Sequence, residues 1–189
     1  MSAFSSTHKP QRSETAAVMA GETTAVTLSE KSLVVLALVR IFVGYLWFQQ
    51  LFWKLPPDFA GLRKYVVEES HYAFFPGYAS FLQQVFLPHF IVLGASVWLA
   101  ELLVALSLML GLFSRLGALL ATLLAVQLYI GLAVAPGEWI WTYGMLVLLG
   151  VVLVAVPAGR RLGVDQWLAP RLRAGARRSR FLSFLSWFV

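Results

Sequence analysis

The sequence predicts an all-α membrane protein, an antiparallel four-helix transmembrane bundle with short interfacial helices in the outer loop between spans one and two. Three observations carry this. Of 189 residues, 59% are hydrophobic and only 13% charged, where a soluble domain averages about 45–50% and about 25%. The mean hydropathy is +0.75. Four apolar runs, 33–53, 90–113, 116–134 and 139–156, each hold about 18–24 residues, which matches a hydrocarbon core of about 30 Å. An ordinary soluble enzyme is excluded. The chain has no cysteine, so disulfides, thiolate metal sites and iron–sulfur ligation are excluded too.

Residues 1–32 are polar, rich in Ser, Thr, Ala and Glu, and read as a flexible tail. The first run is interrupted only by Arg40, the second only by Glu101, and the third and fourth by no charge. In lipid the backbone must satisfy its own hydrogen bonds, so these runs are helices. A tight turn at Ser114–Arg115 and the segment Ala135–Glu138 join antiparallel neighbours. The long connection 54–89 predicts two short helices, 57–69 and 76–87, the second laying Tyr78, Phe81, Leu82, Val85 and Phe86 into the interface. Eleven Lys and Arg residues fall on the side of the tails and Arg115, against Lys54, Arg63 and Lys64 on the other. That asymmetry places both termini in the cytoplasm, in the cytoplasmic (inner) membrane.

Arg40 and Glu101 are the buried charges. Each unmatched one costs about 2.5–3.5 kcal/mol at a helix centre. Counting along the helices puts them about 10 and about 18 Å from the inner side, so the sequence predicts an ion pair facing the bundle interior, with Gln127 at about 17 Å able to join it. Such a pair either fixes helix register or serves a proton or quinone site. His8, His71 and His89 lie in the tail and outer loop, so no haem is expected. A loop cluster of His71, Glu68, Glu69 and Asp58 is read as solvated surface, and no metal site is predicted.

The basic C-terminal tail 157–189 holds seven arginines against Asp165 and ends in the amphipathic FLSFLSWFV. Because the run starts directly after a span, anionic lipids at the tail, or another membrane subunit, are the expected partners and nucleic acid is not. Further copies of this chain are the alternative partner.

Arg40-x-x-x-Gly44 with Lys54 at the end of the span, the Glu-Leu-Leu from Glu101 with Gly111 and Arg115 at the following turn, and GRRLGVD from Gly159 to Asp165 together resemble the DoxX/DoxD family over about residues 33–168. Leu51 stands where that family usually has a glycine, and Gly163 where it often has serine. The resemblance implies a membrane subunit of a quinone-linked redox complex, of the thiosulfate:quinone oxidoreductase type. It implies Glu101 handling protons and Arg40 stabilising a quinone anion as catalytic groups, with Gln127 and Lys54 binding the quinone. The competing expectation is a non-catalytic accessory or anchoring subunit of a larger electron-transfer complex. A small transporter is the weaker third, since no inverted repeat is evident.

Overall fold

A computed structural model describes residues 29–176 and 179–189. Most of the tail expected over 1–32 lies outside these residues. The described part is helical, without a strand among the described residues. Helix α1 spans Glu30–Gln50 and continues through a 3-10 turn, Phe52–Lys54. It begins three residues before the expected Leu33, because the Ser29 side chain accepts a bond from Ser32 N and Glu30 supplies an acid in the first turn. Helix α2 is Ala60–Tyr72, and α3 is Pro76–Phe81 running on through a π-turn, Leu82–Phe86. Helices α4 (Phe90–Leu110), α5 (Ser114–Leu132) and α6 (Ile140–Ala155) follow. After a 3-10 turn at Ala158–Arg160 come α7 (Asp165–Ala176) and α8 (Arg180–Trp187).

Three of these, Glu30–Lys54, Phe90–Leu110 and Ser114–Leu132, are long and apolar enough to cross a membrane. Helix α6, expected over 139–156, is apolar but has 16 residues, about 24 Å at the usual rise. It stops before Pro157, which disfavours the helical conformation in the residue preceding it.

Helix α1 packs on α4, α4 on α5, and α5 on α6. The core between them is built from Ala37, Ala105, Ala118, Ala121 and Ala125 around Val43, Trp47, Val104, Leu108 and Leu153. Small residues let the backbones approach closely. A Cβ on Gly44 would stand 2.8 Å from the backbone N of Met109, so α1 and α4 touch there without side chains between them. The outer faces carry Val35, Phe42, Leu103, Leu123 and Leu148 exposed, an apolar surface that water would not tolerate and hydrocarbon would.

Helices α2 and α3 cover the end of this assembly that carries Lys54. They form a second core from Phe59, Leu62, Val66, Leu82 and Phe90, and Phe74 N donates to Ile130 O (3.0 Å) to tie the loop to α5. The first loop helix starts at Ala60 rather than at position 57: Phe59 takes a left-handed φ of 51°, and the Asp58 carboxylate accepts from Ala60 N. At the opposite end α7 and α8 pack against each other.

Candidate functional site

The expected Arg40–Glu101 pair does not form. The two charges serve opposite ends of the molecule, each with a partner from a connecting segment.

Arg40 is fully buried, and its Nη2 donates to Leu162 O at 2.8 Å. Its guanidinium fills the space beside Gly111, where a Cβ would collide with Nη1. Gly111 also has a φ of +64°, so glycine is needed there twice over. Asp165, whose charge Arg40 feels, is fully buried beneath the α4–α5 turn. Its Oδ1 accepts from Phe113 N (2.8 Å), and its Oδ2 from Ser114 N (2.9 Å) and Ser114 Oγ (2.7 Å). The start of α5 is therefore capped by a carboxylate 51 residues away. Val164 N and Asp165 N close the junction onto Leu110 O and Gly111 O. The GRRLGVD segment is a clasp and Arg40 its anchor. Counting depth along each helix missed this, because the segment after α6 folds back under the bundle and reaches Arg40 first.

The other end is different in kind. Lys54 Nζ is bound to Glu101 Oε1, with both side chains 4% exposed. Glu101 Oε2 is buried with no hydrogen-bond partner, and the ammonium lies 4.6 Å from the centre of the Trp53 ring. Nearby, Glu69 Oε2 accepts from Tyr78 OH (2.8 Å) and Gln127 Nε2 (2.5 Å), and Gln127 Nε2 also donates to Tyr78 OH (2.6 Å). Gln127 thus joins Glu69 rather than Arg40. Gly131 makes room for the Glu69 carboxylate: a Cβ there would stand 2.7–2.8 Å from it.

Burial pushes the Glu69 carboxyl up to about 7, with the Glu101 charge adding to the rise, while the Tyr78 bond, the Lys54 charge and the Gln127 bond hold it down. Burial, followed by the Glu69 charge and the bond donated to it, raises the Tyr78 phenol well above its ordinary value. A carboxyl near 7 exchanges its proton at neutral pH.

These groups converge on one cavity of about 410 Å³. Lys54, Glu69, Tyr78, Glu101 and Gln127 supply its polar atoms, and Trp47, Val66, Leu82, Val97, Leu124 and Leu146 are among its apolar walls. Trp53 and Phe81 line it and are also exposed, so its walls extend to the surface of the molecule. An apolar enclosure with a few convergent polar groups is the usual form of a small-molecule site. Three predicted residues, Lys54, Glu101 and Gln127, meet here; Arg40 does not.

Glu69 and Tyr78 complete the set. Glu69, expected as part of a solvated loop surface, is instead buried, because it shares one face of α2 with Leu62 and Val66 at helical spacing. With Glu69 turned inward, the loop cluster with His71 and Glu68 does not assemble, and no group of three His, Asp or Glu side chains could hold a metal ion among the described residues. No family model, curated protein or solved structure matches the chain.

Proposed function

We propose that the chain crosses the bilayer four times with both termini in the cytoplasm, and that the cavity at its outer end binds the ring of a quinone, as a membrane subunit of a redox complex of the DoxX/DoxD type. The topology rests on the apolar outer faces, on α6 packing along α5, and on the excess of arginine and lysine on the side of the clasp. Helices α2 and α3 then lie at the outer interface over the cavity. The ligand class rests on one observation: a cavity of about 410 Å³ with aromatic and aliphatic walls sets Lys54, Glu69, Glu101, Tyr78 and Gln127 around a single space.

Those residues fit a quinone ring. Its reduction to the quinol takes up two electrons and two protons. The chain's own part is to hold the ring between apolar walls, to hydrogen-bond its oxygens from Lys54, and to hold or release a proton at the Glu69 carboxylate. Electrons come from the substrate or from a partner subunit. Arg40, bound in the clasp, takes no part.

The experiment is a titration of the purified protein in lipid nanodiscs with a decyl-benzoquinone, followed by isothermal calorimetry. Saturable binding that Leu124→Trp blocks by filling the cavity supports the reading. Absence of binding in well-folded protein removes it.

An accessory, anchoring role has its own supporting observation. Trp167, Phe181, Phe184 and Trp187 on α7 and α8 stand exposed, beside Arg171, Arg173 and Arg180. Aromatic rings and arginines together suit the headgroup region of an anionic leaflet.

A further inference from the structure

The polar atoms of the cavity are unevenly matched. Glu101 Oε1 is taken by Lys54, while Oε2 is buried without a partner. Glu69 Oε2 receives two bonds, from Tyr78 and Gln127, whereas no bond reaches its Oε1 among the described residues. Both Gln127 amide protons are directed to Glu69 and Tyr78, which leaves the amide oxygen as its spare group. Tyr78 gives its hydroxyl proton to Glu69. Glu101 Oε2 is sealed from the cavity, so the site offers a ligand spare acceptors on Glu69 and Gln127. Lys54 keeps two N–H protons, but an ammonium serves a carbonyl oxygen and a hydroxyl oxygen alike and does not discriminate between them.

A buried carboxylate oxygen without a donor is costly, and a carbonyl oxygen placed against it would add repulsion between two acceptors. A hydroxyl there makes a charge-assisted bond, about twice as strong as a neutral one. Resting on the ring-binding reading above, we infer that the cavity selects the dihydroxy form of its aromatic ligand over the dicarbonyl form, with the free oxygen of Glu69 accepting a ring hydroxyl. The apolar walls fix the ring, and the Glu69 carboxylate chooses its oxidation state. With Glu69 ionised above neutrality, the quinol formed by the reduction is thereby held more tightly than the quinone it came from.

The test is calorimetric titration of the full chain in nanodiscs at a pH above 7, where Glu69 is ionised. Three probes are compared: a decyl-benzohydroquinone kept anaerobic, the matching decyl-benzoquinone, and the hydroquinone's di-O-methyl ether, which keeps shape and loses the donors. The hydroquinone is expected to bind at least about tenfold more tightly than either of the others. Glu69→Gln should erase most of that preference. Benzoquinone or diether binding as tightly as the hydroquinone overturns the selection but leaves ring binding standing. So does a Glu69→Gln protein that keeps the full preference. If none of the three binds, the ring-binding reading and this inference fall together.

Discussion

Lys54 and Glu101 lie 47 residues apart and meet in the interior as a pair almost fully withdrawn from solvent. The lysine comes from the 3-10 turn that ends the first long helix, and the turn sends its side chain back over Trp53 into the cavity. Among the described residues neither charge makes a second salt bridge, though Glu69 also feels the Lys54 charge. Removing one partner of a buried pair costs about 3–5 kcal/mol, whereas replacing both with apolar groups is often neutral. Lys54→Met should thus lower stability by about 3–5 kcal/mol, and Lys54→Met with Glu101→Leu should recover most of it. Thermal unfolding of all four proteins in one detergent measures the cycle. A double variant destabilised by the sum of the two single effects would show that the pair is not coupled.

Asp165 does at the opposite end what a local capping residue does elsewhere. Its three bonds to Phe113 and Ser114 satisfy donors at the start of α5, and its charge sits within reach of Arg40. Asp165→Ala should cost about 2–3 kcal/mol, the upper range for a lost cap with charged hydrogen bonds. It should also loosen α7, which hydrogen exchange would report as faster amide exchange at Val164–Leu168. Unchanged exchange in that segment would mean the clasp is held by other contacts.

Gly111→Ala attacks the same junction from the other side. The residue must take a positive φ, and the new methyl group would meet the Arg40 guanidinium. Strain and displacement of Arg40 together predict a loss above about 2 kcal/mol. Gly137 also has a positive φ but nothing within 4 Å of its Cβ position. Gly137→Ala should therefore cost only the backbone term, about 1 kcal/mol. Melting curves that rank the two variants in the reverse order would refute the role of Arg40.

Much of the helical layout was legible because lipid-facing helices must be apolar all along, and a run of apolar residues is a direct image of that constraint. The pairing of charges was not. Arg40 and Glu101 lie at depths that differ by less than an arginine's reach, yet depth says nothing about which connecting segment folds inward. Lys54 stood at the end of an apolar run, where a lysine is usually drawn to the interface; only the turn at Phe52–Lys54 directs it inward. Asp165 was visible as the single acid among seven arginines in the tail, a signal that it has a special partner, though not which one. Glu69 read as solvated surface, because the face of α2 that carries it became a cavity wall only once α3 and α5 closed over it.

The absence of cysteine makes the proposed topology simple to test. Lys64→Cys on exposed α2 and Arg171→Cys on exposed α7 introduce single thiols at opposite ends. A membrane-impermeant maleimide added to intact cells should label the first and spare the second, with lysis exposing both. The reverse pattern would invert the protein and put the cavity on the cytoplasmic side.

The raised Glu69 carboxyl gives stability a pH dependence with a definite sign. In the unfolded chain the group releases its proton near 4.5, in the folded protein near 7. Between those values the folded state binds more protons, so stability falls as pH rises through this window and levels off above it. The full drop is about 3 kcal/mol at most. Glu69→Gln should flatten the curve, because an amide has no proton to lose. A bound hydroquinone should act in the opposite direction. It donates to the ionised carboxylate, so its stabilising effect should grow as pH rises past about 7 and stay small below it. Melting temperatures recorded across that range, with and without the hydroquinone, separate the two effects. A ligand effect that is strongest at acid pH would mean that the neutral carboxyl, as a donor, is the form that binds.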